Sequence, residues 1–176
     1  MNDSISRFDH NVTELIDRLP SGLHSVMEAA SLIGEPIVVL IIAGVIALTS
    51  LFKGAPRIFI AECLGVVAFG INTLIKFLVH RARPTTYQEH EMLIKSYSFP
   101  SSHAFVAMFF YGLLAYLVFK YLPRRWNIVA LVTLISLILL IGVSRVYLGA
   151  HFPTDVLAGW LFGGGCLALV IRYIKP

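Results

Sequence analysis

Three short segments carry charge and histidine at spacings that suit phosphoryl chemistry: KFLVHRARP (Lys76 to Pro84), PSSH (Pro100 to His103) and SRVYLGAHFPTD (Ser144 to Asp155). Lys76, Arg83 and Arg145 brought together would repel one another unless an anion sat among them, and phosphate is the natural anion. Two guanidinium forks and one ammonium complement a group with three peripheral oxygens. Pro100, Ser101, Ser102 and His103 have the composition of a helix start, whose backbone N–H groups extend an anion site, with the Ser101 hydroxyl as a further donor. His151 is followed by Phe152-Pro153, which predicts a helix beginning at Pro153 with Asp155 one turn inside it. From there the carboxylate can accept from one imidazole nitrogen and leave the other free to attack phosphorus. His103 is suited to protonate the departing oxygen as general acid. His10, His24, His80 and His90 read as ordinary polar-side histidines, and Arg81 as a lipid-headgroup contact.

The elements that must position these residues are membrane helices. Of 176 residues, 57% are hydrophobic and 14% charged, and the mean hydropathy is +0.80, outside the ordinary soluble range. The expected fold is all-α: an integral membrane bundle of about five transmembrane helices in a single domain spanning 1–176. Apolar runs lie at Pro36 to Phe52, Ile58 to Val79, Ala104 to Tyr121, Ile128 to Val146 and Val156 to Ile174, giving a bundle over 36–176. Upstream, Val12, Leu15, Ile16 and Leu19, then Leu23, Val26, Met27 and Ala30, recur at helical spacing around a break at Pro20, Ser21 and Gly22. Residues 9–32 are therefore expected to form two interfacial amphipathic helices, the first opened by a capping box of Asn11 and Glu14. The N-terminus lacks the form of a cleavable signal peptide. Cys63 and Cys166 lie in apolar runs, where a packing role is expected rather than a disulfide.

Lys53, Arg57, Lys120, Arg124, Arg125, Arg172 and Lys175 gather on one side, which should face the cytoplasm. The opposite side holds every histidine together with Lys76, Arg83 and Arg145, so the chemistry is expected at the extracytoplasmic face of a cell (inner) membrane. The formal charge of +4 surrounds apolar spans and forms no polar stripe, which gives no indication of nucleic acid. The cationic cluster would oppose a divalent ion, so no metal and no cofactor is expected. The glycines around Gly159 and Gly163 suit helix packing within one chain or between chains, and the oligomeric state stays open.

The three segments together resemble the type 2 phosphatidic acid phosphatase (PAP2) superfamily, whose pattern is Lys, six residues, Arg-Pro; then Pro-Ser-Gly-His; then Ser-Arg, five residues, His, three residues, Asp. Lys76, Arg83 and Pro84 match the first piece, and Ser144, Arg145, His151 and Asp155 the third; Ser102 replaces the glycine of the second. The resemblance covers about half of the chain, Lys76 to Asp155. It implies a metal-independent phosphatase that forms a phosphohistidine on His151, held by Asp155, with His103 as acid. Lys76, Arg83, Ser101, Arg145 and the amides near Ser102 would bind phosphate. Members commonly have six spans, and this chain shows five. Phosphatidic acid, phosphatidylglycerol phosphate, undecaprenyl pyrophosphate and lipid A phosphate all fit a phosphate site flanked by apolar helices. The loop from Thr85 to Phe99, with Tyr87, Glu89, His90, Glu91 and Tyr97, is expected to select the headgroup. A lipid-to-lipid phosphotransferase shares the first half-reaction, and a non-catalytic lipid-phosphate binder or translocator would use the same basic pocket.

Overall fold

In a computed structural model, which describes residues 3–84 and 97–175, proline opens three of the described helices. The chain runs α1 (Asp3–Asp17), a 3-10 turn (Ser21–Leu23), α2 (His24–Ile33), α3 (Pro36–Phe52) and α4 (Pro56–Val79). After the segment that is not described come α5 (Ser102–Val106), a π turn (Ala107–Tyr111), α6 (Gly112–Tyr121), α7 (Arg124–Tyr147) and α8 (Pro153–Ile174). Pro36, Pro56 and Pro153 each occupy the first turn of their helix, where the missing N–H costs nothing. Gly54 and Gly149 supply the positive φ of two connections, +69° between α3 and α4 and +67° after α7.

Among the described residues, four helical stretches are long and apolar enough to cross a membrane: Pro56–Val79, Ser102–Tyr121, Arg124–Tyr147 and Pro153–Ile174. The 17 residues of α3 rise about 25 Å, short of a ~30 Å hydrocarbon core. Only together with the preceding segment Ser21–Ile33, bent from it by 45°, does α3 make a fifth candidate. The five expected spans are thus four full helices and one short one. Ser102–Tyr121 is the central span, with 56% of its apolar stretch buried against 22–33% for the other three. Around it Phe105, Phe109, Leu113, Ile141 and Val39 form the fully enclosed core. Large side chains such as Ile37, Val67, Leu74, Val132, Leu161 and Leu169 point outward, the pattern of a surface solvated by lipid.

The N-terminal segments differ from expectation in one respect. The break at Pro20–Gly22 is where the sequence puts it, but α1 already includes Asp3, so Asn11 and Glu14 sit mid-helix and cap nothing. Phe8 and Leu15 of α1 are exposed, while Ile16 packs against Ala104, Val146 and Val156. The one buried residue of this helix is a carboxylate, Asp9.

The helix ends sort into two groups. Gly54, Pro56, Lys120, Tyr121 and Ile174 line one shallow cavity, so the ends of α3, α6 and α8 meet the start of α4 there. The opposite end gathers residues 31–35, 76–84, 97–103 and 144–155, and with them the three charged segments.

Candidate active site

The turn between α7 and α8 holds the central pair. The amides of Ala150 and His151 both donate to the Arg145 carbonyl, at 3.0 and 3.1 Å, which folds His151 back over the end of α7. Asp155 lies on the first turn of α8, where its Oδ2 accepts from the Phe152 amide at 2.9 Å. This half of a capping box turns the carboxylate back toward the imidazole. His151 Nδ1 is 3.6 Å from Asp155 Oδ2, and Ser98 fills the angle between them. Its hydroxyl donates to Asp155 Oδ2 and lies 3.3 Å from His151 Nδ1. With its single proton committed to the carboxylate, Ser98 can only accept from the ring, so the proton of neutral His151 belongs on Nδ1. The lone pair then stands on Nε2. Burial, reinforced by Lys76, Arg145 and Arg83, pushes the His151 pKa down to about 3, against the opposing pull of Asp155. The ring is therefore neutral at any ordinary pH.

The cations expected at the site are there, Lys76 and Arg83 tied to backbone and Arg145 to a side chain. Lys76, buried in the last turn of α4, donates to the carbonyls of Pro100 at 2.6 Å and Tyr97 at 3.1 Å. It pins the segment that leads into α5. Arg83 donates to the Ala150 carbonyl at 2.9 Å, and Arg145 to the hydroxyl of Ser31 on α2. Lys76 interacts electrostatically with Arg83 and Arg145, and all three act on His151. A cluster of this kind is stable where an anion offsets the repulsion.

On α5, Ser101 caps the helix, its Oγ accepting from the Ala104 amide at 3.4 Å. The Ser101 amide donates to the carbonyl of Asp155 at 3.0 Å, which joins the α5 start to the α8 start. Ser102, at the position of the family glycine, is half-buried, with Oγ 3.5 Å from Asn72 Nδ2 of α4. His103 is buried and its Nε2 lies 2.9 Å from Glu35 Oε2, at the N-cap of α3. Arg145 and Arg83 interact with His103 as they do with His151, so both imidazoles border one cationic cluster. Among the described residues, no three His, Cys, Asp or Glu side chains form a ligand set for a metal ion.

The structure thus brings together every residue singled out for the site: Lys76, Arg83, Ser101, Ser102, His103, Arg145, His151 and Asp155. It adds Ser98 and Glu35, which the sequence left unmarked, and Arg81, which was expected at the lipid headgroups. Arg81 differs most from expectation, since it faces the protein interior and not a headgroup. Its guanidinium bonds Asp155 Oδ1 at 2.5 Å, Thr154 Oγ1 at 2.8 Å and Asp9 Oδ2 at 2.6 Å, and lies 4.3 Å from the Phe152 ring. Of the expected selectivity loop, residues 85–96 lie outside the described residues; Tyr97 packs on His80, ring centroids 4.4 Å apart.

Comparison with known proteins gives a consistent set of relatives. A family model described as the PAP2 superfamily matches residues 37–176. Phosphatidylglycerophosphatase B of Bacillus subtilis is 35% identical over 135 residues, 73% of this chain and 61% of that protein. Undecaprenyl-diphosphatase of Sulfolobus acidocaldarius is 31% identical over 124 residues, 68% of this chain and 56% of that protein. The chain therefore spans less than two thirds of the length of these curated relatives. Among solved structures, a transmembrane PAP2 type phosphatidylglycerolphosphate phosphatase from Bacillus subtilis superposes with a TM-score of 0.83 at 25% identity, covering 98% of this chain and 87% of that one.

Proposed function

Because the chain belongs to the PAP2 superfamily, we propose that it is a membrane-embedded, metal-independent phosphatase of lipid phosphates or pyrophosphates, working through a phosphohistidine on His151. The observation that carries this reading is the His151–Asp155–Ser98 arrangement, which leaves a neutral imidazole with its lone pair on Nε2 within the field of three cations. Binding alone would need the cations but not a tautomer-fixed imidazole.

Lys76, Arg83 and Arg145, with the α5 amides near Ser101 and Ser102, hold the phosphoryl oxygens and offset the charge that grows on them. His151 Nε2 attacks phosphorus, forming a P–N bond as the P–O bond to the lipid breaks. The imidazole gains positive character in this step, and Asp155, taking the Nδ1 proton into a hydrogen bond, stabilises it. His103 gives its proton to the departing oxygen, with the Glu35 carboxylate 2.9 Å from its Nε2. Water then attacks the phosphohistidine while His103 accepts its proton, the P–N bond breaks, and phosphate leaves with His151 neutral again. The site lies where the charge distribution predicts the extracytoplasmic face of the cell membrane. Names of the relatives support phosphatidylglycerol phosphate and undecaprenyl pyrophosphate as first substrates to test, with phosphatidic acid and lipid A phosphate beside them.

The test is phosphate release by purified protein in EDTA from these four lipids, beside His151→Ala. Release that survives EDTA, vanishes in the variant, and is accompanied by an acid-labile label on the wild-type protein supports the reading. Label that passes into a second lipid instead of water would replace hydrolysis by phosphotransfer. No release and no label from any of the lipids would overturn both.

A further inference from the structure

The segment α1 precedes the region matched by the family model, yet its only buried side chain is that of Asp9, 3% exposed. The apolar residues Ile5, Phe8 and Leu15 of the same helix point away from the protein. An amphipathic helix ordinarily buries its apolar stripe; this one leaves most of it outside and docks through a carboxylate, with Ile16 half-buried beside it.

Both oxygens of that carboxylate are used. Oδ1 accepts from the Thr154 amide at 2.9 Å, and Oδ2 accepts from Thr154 Oγ1 at 2.8 Å and from the Arg81 guanidinium at 2.6 Å. Through the first bond Asp9 caps the N-terminus of α8, the turn that carries Asp155, in the place where a negative charge suits the helix dipole. Through the last it fixes one arm of the Arg81 fork, whose other arm holds Asp155 Oδ1 at 2.5 Å. Asp155 in turn orients His151. Without Asp9, the Arg81 fork would be free to rotate about its long side chain and to draw Asp155 off the imidazole axis.

We propose that Asp9 is a positioning residue for the His151–Asp155 pair, acting through Arg81 and Thr154, so that the interfacial helix α1 is part of the active-site architecture. The proposal rests on the phosphatase reading for its kinetic consequence but not for its structural one. Arg81 has carboxylates on two sides, Asp9 and Asp155, and that pairing is what keeps its charge out of the phosphate cluster formed by Lys76, Arg83 and Arg145.

Asp9→Asn keeps the size of the side chain and an acceptor for the Thr154 amide but removes the charge facing Arg81. With dioctanoyl phosphatidic acid in detergent micelles, kcat is expected to fall by about 10- to 100-fold, the usual cost of losing a partner that orients an active-site ligand, with KM within about twofold. In an Arg81→Ala background the same substitution should add almost nothing, because its route through Arg81 is already cut and asparagine still accepts from the Thr154 amide. A purely structural role would instead lower activity by the same factor in both backgrounds. The second readout needs no activity: the 15N resonance of His151 Nδ1, assigned by its loss in His151→Ala, should shift in Asp9→Asn. If the wild-type protein releases no phosphate, the phosphatase reading fails while the 15N shift still decides the role of Asp9. Wild-type kcat in Asp9→Asn, equal losses in both backgrounds, or an unmoved Nδ1 resonance would overturn the proposal.

Discussion

Replacing Gly159 by alanine tests whether catalysis depends on the close seam between α5 and α8. A Cβ added there would lie 2.6 Å from the Ser101 carbonyl oxygen, 2.9 Å from the Ala104 Cβ and 3.2 Å from the Phe105 amide nitrogen. Ordinary contact begins near 3.4 Å, so the first turn of α5 must back away from α8 by about 0.8 Å. The obstacle is backbone, which has no rotamer to change. That turn holds Ser101 and His103, and the bond from the Ser101 amide to the Asp155 carbonyl is only 3.0 Å long. Overpacking of this size costs about 1–3 kcal/mol of stability, and a misplacement near 1 Å at a reacting centre costs about 100-fold in rate. Phosphate release from dioctanoyl phosphatidic acid, measured well below the unfolding temperature, should therefore show kcat reduced about 30- to 100-fold. Gly165→Ala in the same helix is the control, since a Cβ there meets nothing within 4 Å. Wild-type kcat in Gly159→Ala, or an equal loss in Gly165→Ala, would refute the reasoning.

Two further outcomes follow from the site. His151 is held neutral down to about pH 3, whereas in the unfolded chain it titrates near 6.5. As pH falls the unfolded chain takes up the proton first, so this residue's contribution to stability is complete above about 6.5 and is lost between there and about 3, at up to about 1.4 kcal/mol per pH unit. Thermal unfolding in detergent should lose stability over that window in the wild-type protein and less steeply in His151→Gln; equal slopes would refute it. Glu35→Gln removes the carboxylate 2.9 Å from His103 and should lower kcat about tenfold, as expected for a weakened general acid, with phosphate-analogue affinity little changed. A variant with unaltered kcat would remove Glu35 from the mechanism.

The sequence carried the outlines of the bundle because apolar runs and proline starts are local signals. Pro36–Phe52 is bounded as expected, and Val79, Tyr121 and Ile174 end their helices at the expected residues. The starts at Pro56, Ser102, Arg124 and Pro153 fall two to four residues earlier than the apolar runs, since the first turn of a membrane helix is polar or proline and adds no hydropathy. The charged cluster was legible because three spaced motifs converge where alternating helices must end. Asp9 and Arg81 were not, because their partners are remote: Arg81 lies 72 residues from Asp9 and 74 from Asp155. Nothing in an amphipathic N-terminal pattern marks one acid as the buried one. Ser98 was hidden for a related reason, its role depending on how Lys76 draws Tyr97 and Pro100 toward α4. The π turn at Ala107–Tyr111 leaves no trace in an apolar run of unbroken helical composition.

The contact between Asp9 and Thr154 also sets an order of events in biosynthesis. Its two partners are 145 residues apart, and at roughly 5–20 residues per second that interval is on the order of ten seconds of translation. During it α1 has emerged but the turn that carries His151 does not yet exist, and Arg81 has only one of its two carboxylates. The pair that would cleave a lipid is held in place only once the last helix has entered the membrane and its start has met the first helix. A chain stalled before Thr154 is made has no partner for the Asp9 carboxylate and no Asp155 for Arg81, so the links between the first helix and the last form only at the end of synthesis.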